Sequence, residues 1–334
     1  HAHNLARRIQ QDLSLLFNLD GFEHHVSASI GITFFSGDSR SPDDILKQAD
    51  TAMYSAKSNG RNTLVFYHPD MQQHVDNRLQ MEKGMRTALE NNQFTMLYQP
   101  QYDNAYRIVG AEALIRWRHP EKGLIPPMDF IPLAEENKLV IAIGEWVMEQ
   151  ACMQLREWPE LDYIAINISP VQLRDAEFVE RVRQVMLPYE KEVRRLMMEM
   201  TEGIMIENVE DTTRIIRNLQ NMGIGISIDD FGKGYSSLVY LRNLPLNQLK
   251  VDKGFVHDID SDANGRVIVE TIIAMARHLK LDVIAEGVET DTQLAFLQGQ
   301  GCHKFQGYYF SHPLTVEQFG KLLKENHKVV ARDS

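Results

Sequence analysis

The chain has 334 residues, with 35 Lys and Arg against 46 Asp and Glu, giving a formal charge of −11. At 43% hydrophobic and 24% charged, its composition is that of a folded globular protein, which excludes disordered, collagenous and disulfide-scaffold classes. The acidic balance argues against a duplex-DNA binder, which needs a basic face, but not against a small anionic substrate whose charge bound cations can meet.

Residues 3–16 read as a helix. His25–Phe35 alternates and is rich in β-formers, which predicts a strand. Ser41–Asn59 opens on the cap pattern Ser41-Pro42-Asp43-Asp44 and carries Ile45, Leu46, Ala49, Ala52, Met53 and Ala56 at helical spacing, with Gly60 as its stop. Asn62–Tyr67 reads as another strand. This section of 67 residues is small for a free-standing core. Residues 69–91 are polar and helix-compatible, and they join the two parts.

From Phe94 the chain repeats a short β-rich run followed by an amphipathic helical stretch. Strands are expected at Phe94–Gln99, Ile108–Trp117, Tyr163–Ile168, Leu196–Thr201, Gly225–Asp229, Gln248–Asp252, Asp282–Glu286 and Lys304–Phe310. Helices such as Ile141–Trp158, Val209–Met222 and Gly265–Leu279 fit between them. Eight strands alternating with helices predict an α/β fold, a TIM-type (β/α)8 barrel. Only a short stretch near Gln101–Arg107 parts the first two strands, and a parallel crossover needs about a dozen residues or more. Those two strands are therefore expected to pair antiparallel.

No apolar run approaches the ~18 residues of a membrane span, and no signal peptide is visible. The chain starts at His1 and is read as a fragment, to which an upstream sensor or membrane anchor could be joined. Two cysteines, Cys152 and Cys302, make no framework, so a reduced compartment is the simpler reading.

In such a barrel, chemistry sits at the C-terminal ends of the strands. Asn167 ends IAINIS, Glu199 and Glu202 sit in LMMEMTE, and Asp229 and Asp230 end GISIDD. Lys250 and Asp252 sit in QLKVDK, Glu286 and Glu289 end DVIAEGVE, and Glu112 lies in IVGAEALIRW. A single acid at a strand end is more often a cap or an ion-pair partner. As a set, Glu112, Asn167, Glu199, Asp229, Asp230 and Glu286 are expected to converge on one barrel mouth. Five carboxylates cannot share a small site ionised without cations. Oxygen-only ligands suit Mg²⁺ or Mn²⁺ rather than zinc, and two such ions activate water and clamp a phosphoryl centre. Lys250 in the same mouth would orient the water or steady charge developing on phosphate.

Glu112-Ala113-Leu114 with Ile115-Arg116-Trp117 resembles the signature of the EAL-domain phosphodiesterases, which hydrolyse cyclic di-GMP. The likeness continues through Asn167-Ile168-Ser169, Glu199-Met200-Thr201-Glu202, Asp229-Asp230-Phe231-Gly232, Lys250-Val251-Asp252, Glu286-Gly287-Val288-Glu289 and Gln306-Gly307-Tyr308, in the family's order. It implies a barrel over residues 79–327 with one antiparallel strand, a linker helix at 68–78 and a tail at 328–334. It also implies that Glu112, Asn167, Glu199 and Asp229 bind one metal. Asp229, Asp230 and Glu286 would meet the second metal and its water, with Asp229 bridging. Lys250 would hold the attacking water, and either it or Glu286 takes the proton. Arg116 would contact substrate phosphate, and Gln99, Leu114 and Gln306 would meet substrate. Glu202 would anchor the loop Phe231–Ser237, while Glu289 and Asp252 would support the site from behind. The product would be linear 5′-pGpG. The family also implies a homodimer through the barrel and a cytoplasmic catalytic domain in bacterial signalling, with an inner-membrane anchor allowed in the full-length protein. Two departures, Lys233 and Met200, remove no ligand.

Residues 1–67 resemble the C-terminal portion of a GGDEF domain through Ser27-Ala28-Ser29-Ile30-Gly31-Ile32 and the run from Ala49 to Asn62. No GGDEF signature occurs, so cyclase activity is not expected of this chain. Rival readings fare worse. Gly232-Lys233-Gly234 fails the Walker pattern twice, and a lone His257-Asp258 dyad is a weak pointer to HD-type phosphodiesterases. A two-carboxylate glycosidase needs neither Asn167 nor Lys250. A catalytically dead receptor for cyclic di-GMP is the serious rival, and it would leave a complete acid cluster unexplained.

Overall fold

The structure is a computed structural model, described here for residues 1–333 apart from 15, 16, 20, 21, 25, 36–40, 59–61, 204–208 and 233–243. It forms two compact units, His1–Arg86 and Thr87–Ser334.

The first unit opens with a helix, Ala2–Leu13, and an antiparallel pair of strands, β1 (Phe17–Leu19) and β2 (Phe22–His24). Two further strands, β3 (Ile30–Ile32) and β4 (Leu64–Phe66), pair in parallel around the helix Pro42–Ser58. That helix is capped as its sequence foretells: the Asp44 amide donates to Ser41 Oγ at 3.1 Å, and the Ser41 amide returns a bond to Asp44. Ala52 and Ala56 are buried. Gly31 is required by this packing, because a Cβ there would lie 2.2 Å from the Ala49 carbonyl oxygen. The strand expected over His25–Phe35 is cut to Ile30–Ile32, the stretch that β4 is long enough to pair. Gly60 lies outside the described residues. A helix, Pro69–Glu90, follows and runs well past residue 78.

In the second unit, eight strands close a barrel. They are β5 (Phe94–Asp103), β6 (Ile108–His119), β8 (Tyr163–Asn167), β9 (Leu196–Thr201), β10 (Gly225–Phe231), β11 (Gln248–Val251), β12 (Asp282–Ala285) and β13 (Lys304–Phe305). The short strand β7 (Gly123–Ile125) folds back on β6 and was not expected from sequence. The order is β5-β13-β12-β11-β10-β9-β8-β6, and β5 pairs with β6 to shut the ring. β5 is antiparallel to both neighbours and the other pairings of the ring are parallel, as the short first connection requires. Asp103 Oδ1 holds that connection by accepting the amides of Ala105 and Arg107, both at 2.9 Å.

Alternation sorts each strand. Met198, Met200, Ile226, Ile228, Leu249 and Val251 are buried on one face, among the helices that cover the barrel. Glu199, Ser227, Asp229 and Lys250 fall on the other, inside it. β8, β11 and β12 stop one residue short of the expected ends, whereas β6 and β10 run two residues further and β5 four. Asp252 does not extend β11 but caps the helix Lys253–Asp258, its Oδ1 accepting the Gly254 amide at 2.9 Å. The last strand differs most: Lys304–Phe310 shrinks to Lys304–Phe305. After Gln306 the chain packs its backbone against Val288, so closely that a Cβ on Gly307 would lie 2.1 Å from the Val288 carbonyl oxygen.

Candidate active site

The acids picked out by sequence do meet at the C-terminal mouth of the parallel strands. Glu199 on β9, Asp229 on β10 and Lys250 on β11 come from three neighbouring strands, with Glu286 immediately after β12. Lys250 is at their centre and fully buried. Its Nζ lies 2.6 Å from Glu199 Oε2, 2.6 Å from Glu286 Oε1, 3.3 Å from Asp229 Oδ1 and 3.5 Å from Glu112 Oε2. Asn167 donates its amide nitrogen to Glu112 Oε1 at 2.8 Å, which leaves its carbonyl oxygen as a potential ligand. Asp230 follows with φ of +54°, a left-handed conformation costly for a residue with a Cβ. Its amide donates to Asp229 Oδ1 at 2.9 Å.

One ammonium does not balance four carboxylates. Burial works to lower the Lys250 pKa, but Glu112, Glu199, Glu286 and Asp229 outweigh it and hold it well above the ordinary lysine value. Burial raises Glu199 well above the usual carboxylate range, and the neighbouring acids add to the rise. Burial also pushes Glu286 up to about 8. Glu112 goes the other way: burial raises it, yet the Lys250 charge and hydrogen bonds from Gln306 and Asn167 bring it below the usual value.

The flanking residues form a cavity of about 310 Å³ lined by Gln99, Leu114, Asp230, Glu289, Gln306 and Tyr308, among others. Gln306 donates to Glu112 Oε2 at 2.6 Å and to Gln99 Oε1 at 3.1 Å. Arg116 stands apart from this wall. It shares the strand face of Glu112 and Leu114 on β6 and donates to the Ile115 carbonyl at 2.9 Å. Glu202 is buried and accepts the Gly232 amide at 3.0 Å, so it holds the start of the loop expected over Phe231–Ser237. Lys233–Ser237 lie outside the described residues. Glu289 borders the cavity, and its amide donates to Gln293 Oε1 at 2.8 Å. Asp252 also reaches the cavity wall, but its plainest task is the helix cap. Sequence reading missed Gln101 behind Gln306 and left Tyr308 as part of a motif only. The alternation of β5, which puts Gln99 and Gln101 on one face, was the available signal for the first.

The family model of the EAL domain matches residues 82–313. The chain belongs to the EAL domain family. The model of the diguanylate cyclase GGDEF domain matches residues 1–63. Among curated relatives, the Pseudomonas aeruginosa bifunctional diguanylate cyclase/cyclic di-GMP phosphodiesterase MucR is 40% identical over 323 residues, covering 95% of this chain and 47% of that protein. The Escherichia coli cyclic di-GMP phosphodiesterase PdeR is 37% identical over 323 residues, covering 96% of this chain and 49% of that protein. The EAL chain described here thus spans about half the length of these relatives. A solved structure of a PaMucR phosphodiesterase in complex with c-di-GMP superimposes with a TM-score of 0.69 at 41% identity, covering 72% of this chain and 99% of that one.

The donor set of this EAL mouth fits hard divalent ions. Its ligating atoms are carboxylate and amide oxygens. Glu199 Oε1 is buried with no hydrogen-bond partner. Among the described residues, no three His, Cys, Asp or Glu side chains are already gathered around one ion position. The carboxyl groups close on the Lys250 ammonium instead, and cations entering the site would displace the protons that Glu199 and Glu286 hold.

Proposed function

We propose that this chain hydrolyses cyclic di-GMP to linear 5′-pGpG with the help of two divalent ions, Mg²⁺ or Mn²⁺, and so lowers the messenger in bacterial signalling. The observation that carries the reading is the cluster of Glu112, Glu199, Asp229 and Glu286 around the buried Lys250 at the mouth of the barrel. The relatives named for this activity support the choice of substrate.

Glu112, Asn167, Glu199 and Asp229 would hold one ion, and Asp229, Asp230 and Glu286 the other. When bound, such ions make water a stronger nucleophile and screen the charge on phosphate. Lys250 presents three N–H donors and no acceptor. It holds the attacking oxygen and the charge that develops on the phosphoryl group. Glu286, 2.6 Å from Lys250 Nζ, would take the water's proton once bound cations had brought its raised pKa down. Attack would be in line: a P–O bond forms to the water oxygen, the bond from phosphorus to the ribose 3′ oxygen breaks, and that oxygen takes a proton from solvent while Glu286 returns the water's proton to solvent. Gln99, Leu114 and Gln306 line the substrate's place, and Arg116 would contact a substrate phosphate.

The phosphodiesterase unit is taken as residues 79–327, acting as a homodimer in the cytoplasm, with residues 1–67 as the C-terminal portion of a GGDEF-like domain. Among the described residues, no helix is long and apolar enough to cross a membrane.

Glu112→Ala tests the assignment. Turnover should be lost while the circular dichroism spectrum stays that of the folded parent. Near-normal turnover would remove Glu112 from the metal site. Because ligands act as a unit, removing any one should cost about as much as removing several.

A further inference from the structure

Three glutamines run in a buried file beside the acid cluster. Gln101 is fully buried, and Gln306 and Gln99 nearly so. Gln101 Nε2 donates to Gln306 Oε1 at 2.7 Å. Gln306 Nε2 donates in turn to Glu112 Oε2 at 2.6 Å and to Gln99 Oε1 at 3.1 Å.

The direction of this file is forced. An ionised carboxylate only accepts hydrogen bonds. The end of Gln306 that faces Glu112 must therefore be its NH₂, and both of its N–H groups are then spent. Its Oε1 must face Gln101, which must offer its own NH₂. Were Gln306 to flip, two acceptor oxygens would confront each other across the Glu112 contact. Gln101 adds a second barrier to the flip, because a turned Gln306 would also set its NH₂ against the NH₂ of Gln101.

Two further observations set Gln101 apart from ordinary packing. Its own Oε1 is buried with no hydrogen-bond partner. A half-satisfied buried amide is a cost to stability, which points to a task other than stability. In addition, the neighbouring strand leaves it room. A Cβ on Gly110 would lie 2.9 Å from Gln101 Oε1 and 2.6 Å from Cζ of Tyr163.

We infer that Gln101 is a positioning residue: it holds the Gln306 amide in one orientation and, through it, the Glu112 carboxylate. This rests on the reading of Glu112 as a metal ligand.

Two variants separate the idea from simple packing. Gln101→Met keeps the volume and removes the donor. Gln101→Glu puts an acceptor where the donor was and rewards the flipped Gln306. Three quantities are read: exchange of the Gln306 side-chain amide protons in metal-free protein, Mn²⁺ affinity by electron paramagnetic resonance of the free ion, and the unfolding midpoint. In Gln101→Met the amide protons should exchange faster and Mn²⁺ should bind about tenfold more weakly, with no matching fall in midpoint. Gln101→Glu should lose more affinity than Gln101→Met. Unchanged exchange and affinity in both variants would overturn the proposal. So would losses that merely follow the midpoint with Gln101→Glu no worse than Gln101→Met. If neither variant folds, the parent decides: a scalar coupling across the bond from Gln101 Nε2 to the Gln306 carbonyl supports the proposal, and Gln306 amide protons that exchange as in an exposed glutamine refute it. A parent protein that bound no Mn²⁺ would sink the metal reading of Glu112, while the amide measurements would still test the orientation.

Discussion

Lys250 Nζ donates to Glu199 Oε2 at 2.6 Å, and neither side chain reaches solvent. A buried pair of this kind is rarely a gain over well-packed apolar residues, whereas removing one partner is strongly destabilising. Here Glu112, Asp229 and Glu286 surround the same ammonium, so the loss of Lys250 would leave several acids facing one another.

Lys250→Met should therefore cost the metal-free protein about 3–5 kcal/mol, measured by urea unfolding. Mg²⁺ or Mn²⁺ should restore part of that loss by neutralising the acids. Turnover should fall ~100-fold or more and should not return with metal. A variant as stable as its parent without metal would mean that the acids do not depend on Lys250 for their charge balance.

The raised carboxyls give the metal-free protein a pH signature. Glu286 titrates at about 8 when folded, against an ordinary 4.5, and Glu199 is raised as well. A raised carboxyl keeps its proton in the folded state while the unfolded chain has released it, so stability falls as pH rises through that interval. Glu112 is lowered and acts in the opposite sense, but its contribution is lost only at more acidic pH. The Lys250 contribution is lost only above the ordinary lysine range. The unfolding midpoint in chelator should thus decline from about pH 5 to pH 8, and divalent metal should flatten the decline. A midpoint that rises over that range in chelator would contradict the charge balance described here.

Much of this was legible in the sequence, and for physical reasons. A strand whose end carries an acid, as GISIDD does, is conspicuous because buried strands are otherwise apolar. The short connection near Gln101–Arg107 fixed the reversed strand by chain length alone. Other features were hidden. Lys304–Phe310 has the composition of a strand, but the close approach of Gly307 to Val288 turns the chain away after Phe305. Gln101 carries no motif, and its partner Gln306 is more than 200 residues away. The central position of Lys250 among four carboxylates depends on side-chain geometry that spacing cannot give.

Gly307→Ala tests that turn. Its Cβ would meet backbone atoms of Val288 at 2.1 Å, and a backbone cannot swing aside as a side chain can. The change should cost about 1–3 kcal/mol or more and disturb Gln306 next to it. Unchanged unfolding and unchanged substrate KM would show that the turn relaxes freely.

Neither cysteine should behave as a reactive thiol. Burial pushes both Cys152 and Cys302 up to about 12. The thiolate is the nucleophile, so iodoacetamide at pH 8 should leave both untouched in the folded protein and modify both in denaturant, as read by mass spectrometry. Rapid modification of either in the folded state would show that its surroundings open.

The central claim is that the acid cluster hydrolyses cyclic di-GMP with divalent ions. The most direct test is chromatography of cyclic di-GMP incubated with this chain and Mg²⁺ or Mn²⁺, with and without chelator. The account predicts linear 5′-pGpG with metal and none with chelator. Intact nucleotide bound tightly but never cleaved, with either metal present, would contradict it and make the protein a receptor.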